Sequence, residues 1–251
     1  LRDDSQSAMH ATTIQGIMFV INSVGVKCAP LLPRIVPQFL RSLRSCDESL
    51  RDPFFTYLCA IVSTVKAHIR PFINDIIGTV LDMWSPNASV LPRLCALVEV
   101  IAAVLREGFK QYLPAVVPKL LGVLAAERGG ATRDSKSVLI VLHAVQVLAS
   151  KSSLDDYLTV LLPPFIRLFE AADEPLLVRL AAAQTVTKLA LVSDIAAHAS
   201  RILHPLVRVF QGSAPALFEH SLLLLCCVLK QLGFSYIVFE PMVAAALSRV
   251  R

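Results

Sequence analysis

Charge is scarce in this chain of 251 residues: Asp, Glu, Lys and Arg make up only 17% of it. Aromatic side chains are few as well, 7% with a single tryptophan, so aliphatic residues must do most of the packing. The 24 basic against 19 acidic residues leave a net charge of +5, which is mild for this length. The basic residues are scattered, with no run of five or six, and read mostly as the solvated backs of helices. Nucleic acid is therefore not an expected partner, and a pI near 9.0 is the sole support for that rival reading.

Long apolar runs are missing too. A mean hydropathy of +0.63 raises the question of a membrane, but a spanning helix needs about 20 consecutive apolar residues. The best runs, Val138 to Ala149 and Leu222 to Leu229, are shorter, and His143 and Gln146 interrupt the first. A layered helical protein fits better, with any membrane association indirect. The opening LRDDSQSAMH has neither an initiator Met nor an apolar h-region, which reads as a piece of a longer chain. None of the six cysteines (Cys28, Cys46, Cys59, Cys95, Cys226, Cys227) forms a C-x-x-C pair. They read as small buried hydrophobes of a reducing, cytoplasmic compartment, with the vicinal Cys226-Cys227 as the one oddity. Alternating runs bounded by Asn-Gly or Asp-Gly turns are absent, which excludes a sheet and leaves an all-α fold.

Catalytic chemistry finds no foothold. The six histidines make no H-E-x-x-H pattern, and no G-x-S-x-G elbow, Walker loop or dinucleotide fingerprint occurs. Gly129-Gly130 is followed by no G-K-[ST], so it is no phosphate cradle. Asp155-Asp156 could suggest acid–base work, but their place after Ser153 at a helix start favours dipole and capping chemistry. Asn87-Ala88-Ser89 matches a glycosylation sequon by chance on a cytosolic reading, and Ser85, Thr132, Ser135 and Ser137 are ordinary surface hydroxyls. Trp84 at a helix end reads as a local plug. No cofactor, metal or active site is expected in this segment.

What is present is a pattern, clearest from Tyr157 to Ala190: YLTVLLPPFIRLFEAADEPLLVRLAAAQTVTKLA. Leu158, Leu161, Leu162, Phe165, Ile166, Leu168 and Phe169 recur at helical steps. Pro163 and Pro164 lie inside that helix, where they are tolerable near its first turns or as a kink. Asp173 and Glu174 supply cap and dipole chemistry for a second helix opening at Pro175, with Leu177, Leu180, Ala181, Val186 and Leu189 as its buried side. Prolines in the first helix, Asp at the corner and Val178-Arg179 entering the second resemble the HEAT repeat. Arg179 could meet a partner, but the bland reading, a ladder that satisfies the corner's aspartate or carbonyls, is favoured because Leu50-Arg51 repeats the step.

A single hairpin cannot bury its apolar face alone, so copies must stack. Aligned on the second proline, the copies place Pro37, Asp75, Pro118, Pro163, His204 and Pro241 in register, at spacings of 38, 43, 45, 41 and 37 residues. That is close to the period of about 40–47 found in HEAT and armadillo arrays. The expected hairpins are 5–27 (partial), 29–67, 68–106, 109–150, 154–192, 196–233 and 235–251 (partial), one α-solenoid of about six units wound as a right-handed superhelix. Its repeat-defining residues are Pro37, Pro71, Pro118, Pro163, Pro205, Pro241, Asp173 and Arg179. Starting on an orphan second helix and ending on an orphan first helix, it should leave apolar faces uncovered at both ends.

The series VGVKCAPLLPRIVPQFLRSLRSCDESLRDPF, VKAHIRPFINDII, FKQYLPAVVPKLL, LDDYLTVLLPPFIRLFEAADEPLLVRLAAAQTVTKL, ASRILHPLVRVF and FEPMV resembles, in that order, the middle HEAT region of the target of rapamycin (TOR) kinases. The resemblance runs from about Val24 to Arg251. It implies a non-catalytic scaffold segment of a serine/threonine protein kinase in growth and nutrient signalling. Implied partners are a second protomer and a large regulatory subunit, and implied localisation is cytoplasmic, reaching endomembrane surfaces through the parent complex. No D-F-G triplet or catalytic-loop motif lies in these residues, so none of the kinase's functional residues carries over. Glu127 to Asp134 and Val243 to Leu247 depart from the family's usual text and put partner contacts there in doubt. Periodicity alone equally permits a stand-alone adaptor, such as a transport receptor or a phosphatase scaffold.

Overall fold

A computed structural model describes residues 7–84, 89–125, 134–211 and 215–248. The Gly-rich segment 127–133, Ser85, Thr132 and the Asn87-Ala88 part of the sequon lie outside the described residues, as does the side chain of Met9. Among the described residues every regular element is helical. The α-helices are α1 (Ser7–Val24), α2 (Leu32–Ser45), α3 (Glu48–Val65), α4 (Ile73–Asp82), α5 (Leu91–Leu105), α6 (Leu113–Ala125), α7 (Ser135–Ala149), α8 (Leu158–Glu170), α9 (Leu176–Val192), α10 (Ala199–Gln211), α11 (Phe218–Leu232) and α12 (Glu240–Leu247). Contacts gather into two compact units, Leu1–Leu120 and Leu121–Arg251.

The repeat is more regular in space than the proline alignment implies. The even-numbered helices from α2 to α12 begin at Leu32, Ile73, Leu113, Leu158, Ala199 and Glu240, at spacings of 41, 40, 45, 41 and 41 residues. Pro37, Pro118 and Pro163 each occupy the sixth position of their helix, directly after a buried Val36, Val117 or Leu162. In that register their counterparts are Gly78, His204 and Ala245. Asp75 and Pro241 instead fall in the first helical turn, which corrects the alignment. Pro205 is the seventh residue of α10, and Pro71 sits before α4 in a 3-10 turn. Pro37 and Pro118 face solvent, where water can take the carbonyl left unbonded by the missing N–H.

In the first unit α1, α3 and α5 lie side by side as one layer, and α2 lies against α4 in the other. The rings of Phe39 and Phe54, 5.3 Å apart, join the layers. Polar bonds between neighbouring repeats reinforce the stack: Arg44 Nη2 donates to Thr79 Oγ1 at 2.8 Å, and Arg93 pairs with Asp52 at 3.0 Å. In the second unit α7, α9 and α11 form one layer and α8, α10 and α12 the other. Gln146 Nε2 donates to Thr185 Oγ1 at 2.8 Å, and Gln184 meets His220 at 2.9 Å. Gln231 receives the Ile195 N–H at 2.8 Å and donates to the Ser193 carbonyl at 2.9 Å, closing the end of α9. Asp134 caps α7, taking the N–H groups of Lys136 and Ser137 at 3.1 and 3.3 Å and the Ser137 hydroxyl at 2.7 Å. Those bonds hold its carboxyl below the usual range.

All seven apolar residues expected to line α8 are buried. Its partner differs. On α9 the buried arc is Val178, Ala182, Ala183, Thr185, Val186, Thr187, Leu189 and Ala190, while Leu177 is 69% exposed and Leu180 and Ala181 lie at the rim. The cause is packing on three sides, against α7, α8 and α11. A helix enclosed in that way buries small residues and internally bonded threonines rather than a single leucine stripe. Thr185 and Thr187 make this affordable by donating to the Ala181 and Ala183 carbonyls at 2.7 and 2.8 Å.

Four of the links between described repeats share one device. Gly25, Lys66, Arg106 and Gly233 all have positive φ, at 63°, 51°, 52° and 52°. Each opens a 3-10 turn of six or seven residues leading to the next even-numbered helix. Three residues on, an anchor plugs the joint: Cys28, Ile69 and Phe109 are buried, and Tyr236 is half-buried. A β-carbon is strained at such φ, but a cation at a helix C-terminus interacts favourably with its dipole, which rationalises Lys66 and Arg106.

Two helical stretches, Thr12–Ser45 and Phe218–Val238, have the length and hydropathy of a membrane span, more than the sequence runs suggest. Both break at a positive-φ glycine into separate helices.

Two stability outcomes follow from the packing. Val186→Asp should cost about 3–5 kcal/mol by burying an unpaired charge, and Leu177→Asp less than about 0.5 kcal/mol, read by urea denaturation. In the same assay Lys66→Gly and Arg106→Gly should each stabilise by about 1 kcal/mol through relief of backbone strain. Unchanged or lowered midpoints would show that the joints are not strained.

Candidate interaction surface

Among the described residues no group of three or more His, Cys, Asp or Glu side chains could hold a metal ion. Four of the thiols are shifted away from a nucleophilic state. Burial pushes Cys59 up to about 11 and Cys95 up to about 12, and it raises Cys46 and Cys227 as well. The expectation of uniformly buried cysteines needs correction: Cys28 and Cys95 are buried, but Cys226 is exposed on α11, and the other three are half-buried. Trp84 is buried at the end of α4, as a plug should be.

The paired carboxylates Asp155 and Asp156 open a 3-10 turn ahead of α8, where Ser153 Oγ donates to Asp155 Oδ2 at 2.6 Å and accepts the Asp155 N–H at 3.3 Å. Asp173 stands exposed in the α8–α9 corner. Pro175 rather than an acidic residue is the N-cap of α9, with no side-chain cap bond. Arg179 reaches back from the first turn of α9, and its Nε donates to the Phe169 carbonyl at 3.1 Å. It thereby satisfies a carbonyl that the end of α8 would otherwise leave open. Arg208 pairs with Glu170 between α10 and α8. Pro37, Pro71, Pro118, Pro163, Pro205 and Pro241 are distributed one per repeat and converge on no common site.

Apolar side chains stand in water on the outward side of the α7–α9–α11 layer. Leu177 and Leu191 on α9 are 69% and 64% exposed, and Leu223 on α11 is 54% exposed. Leu177 and Leu191 lie about four turns apart on nearly the same side of the helix, some 21 Å along its axis. Exposed apolar groups also occur on α1 (Phe19, Val20) and in the turn Gly233–Val238 (Phe234, Ile237, Val238). The α9 leucines were missed in the sequence because spacing places them on an apolar stripe without saying which stripe faces inward.

A layered array of helices, with no metal-binding group among the described residues, is a generic object, and comparison with known proteins makes it specific. The family model of the serine/threonine-protein kinase mTOR domain matches residues 1–66. The chain is 34% identical, over 100% of its length, to the serine/threonine-protein kinase mTor of Drosophila melanogaster. The chain is homologous to one stretch of the target of rapamycin kinases. It is also 31% identical to the kinase tor1 of Schizosaccharomyces pombe over 97% of its length, and 32% identical to the kinase TOR of Arabidopsis thaliana over 95%. It spans 10% of each of these TOR relatives. The matched stretch is not the C-terminal catalytic region of the TOR kinases, so the segment is non-catalytic.

Thiol reactivity tests the local environments. A maleimide at neutral pH should label Cys226 first and leave Cys59 and Cys95 unlabelled in the folded protein. Because their folded pKa values lie above the unfolded one, their contribution to stability is complete below about pH 8.5. It should fade as pH rises towards 11 and 12, which a pH series of denaturation midpoints would detect.

Proposed function

We propose that the chain is a scaffold segment of a TOR-type serine/threonine protein kinase, serving dimer assembly and the binding of a large regulatory subunit in growth and nutrient signalling. The observation that carries this reading is the match along the whole chain to kinases of which it covers a tenth. Its mechanism is geometric and uses no cofactor. Stacked hairpins fix the spacing and direction of outward side chains, so a partner meets a preformed surface and little ordering entropy is lost on binding. The exposed Leu177, Leu191 and Leu223 support the reading physically, since leucines held in water by a rigid layer gain free energy when a partner covers them. On this reading the segment works in the cytoplasm and meets endomembranes only through the parent complex.

The test is made in the intact parent kinase. Leu177→Glu with Leu191→Glu should leave the fold and the activity towards a small peptide substrate unchanged. Recovery of the regulatory subunit, or the fraction of dimer by mass photometry, should fall about tenfold, as a loss of about 1.4 kcal/mol would give. Full retention of both would remove this face from the assembly.

A further inference from the structure

Some of the basic residues that are scattered in the sequence gather in the first unit. Three 3-10 turns, Gly25–Leu31, Lys66–Phe72 and Arg106–Tyr112, link its helices. Together they carry Lys27, Lys66, Arg70, Arg106 and Lys110 against a single acidic residue, Glu107, with His68 in addition. All five cations are exposed. The turns are neighbours: the first touches the second, and the third is tied to the start of α4 by Tyr112 Oη donating to Asn74 Oδ1 at 2.6 Å. A period of about 40 residues in sequence thus becomes a row of cations along one edge of the unit. Asp75, also exposed, is the acidic group at the foot of the same edge. In the second unit the described 3-10 turns, Asp155–Tyr157, Ala196–His198, Pro215–Leu217 and Gly233–Val238, carry no Lys or Arg, and of the described links Lys151 before α8 is the exposed cation.

We infer that this edge is a docking ridge for an extended acidic segment of a protein. Capping alone accounts for Lys66 and Arg106, which follow the last residues of α3 and α5, but not for Lys27, Arg70 and Lys110 deeper in the turns. Stacked helices stand about 8–10 Å apart, so successive turns repeat at about the length of three extended residues. An extended segment in the polyproline II conformation, with three residues per turn and a rise of about 3.1 Å each, carrying a carboxylate at every third position therefore matches the ridge step for step. The edge presents no row of exposed aromatic rings on which bases could stack, and its exposed apolar groups, Val26 and Leu31, lie at the first turn only. A linear acidic peptide fits better than single-stranded nucleic acid or a lipid surface. The inference does not depend on which partners the parent kinase assembles.

The probe is a fluorescent peptide of about twelve residues with glutamate at every third position, titrated against the full chain at low salt. Its glutamine counterpart, phosphatidylserine vesicles and oligouridine serve as comparisons. The glutamate peptide should bind, weaken as salt screens the charges, and lose its affinity in the glutamine form. Lys66→Gly with Arg106→Gly removes two cations while relieving two strained joints. That variant should melt no lower than the parent yet bind about threefold to tenfold more weakly. Arg70→Gln, which alters no special backbone position, should weaken binding in the same direction. Undiminished binding by both variants would overturn the inference, as would vesicles or oligouridine binding where the glutamate peptide does not.

Discussion

Everything in this molecule depends on turning the chain from one hairpin into the next within about seven residues while keeping its layers in contact. Aliphatic hairpins of this kind have no core of their own, and their apolar faces are buried only by the neighbouring copy. The joint decides whether that copy arrives in register. A positive-φ residue reverses the backbone, an apolar plug three residues later pins it, and the next helix starts at a spacing of 40 or 41 residues wherever this device is used in the first unit. The remaining joints use side-chain bonds instead, Ser153 with Asp155 at one and Gln231 with Ile195 at the other. Different local chemistry therefore serves one geometric requirement.

Much of this is legible in the amino-acid order. Helical spacing places every buried residue of α8, and the prolines mark the even-numbered helices closely enough to reveal a repeat. Two things are not legible. The inward face of α9 is hidden because that helix is apolar nearly all round, and only the positions of α7, α8 and α11 determine which leucines are left outside. The register of α4 and α12 is hidden because Asp75 and Pro241 resemble repeat markers while belonging to the first turn. The interaction surfaces are harder still. An exposed leucine or lysine has no signature of its own, and its meaning comes from neighbours about 40 residues away.

The functional picture joins these levels. The segment is homologous to a stretch of TOR kinases outside their catalytic region, and on the proposed reading it contributes shape rather than chemistry. Burial raises the thiols of Cys46, Cys59, Cys95 and Cys227, its paired carboxylates shape a turn, and Arg179 closes the end of the helix before it. Many of its polar groups form the bonds between neighbouring repeats. The surfaces proposed for partners are an apolar strip on one layer of the second unit and a basic edge on the first, opposite in character.

The polar ladder has a consequence for how such a protein is made. Its cross-repeat bonds join residues 35 to 41 apart, as in Arg44 to Thr79 and Arg93 to Asp52. Among the described residues no strand pairing between distant parts of the chain has to be found. Contacts confined to adjacent repeats keep contact order low, which favours fast folding. During synthesis each hairpin can settle onto its predecessor soon after it leaves the ribosome, so the nascent chain exposes little more than one apolar face at a time. For an array of aliphatic hairpins, that ordering limits aggregation while the chain is still being made.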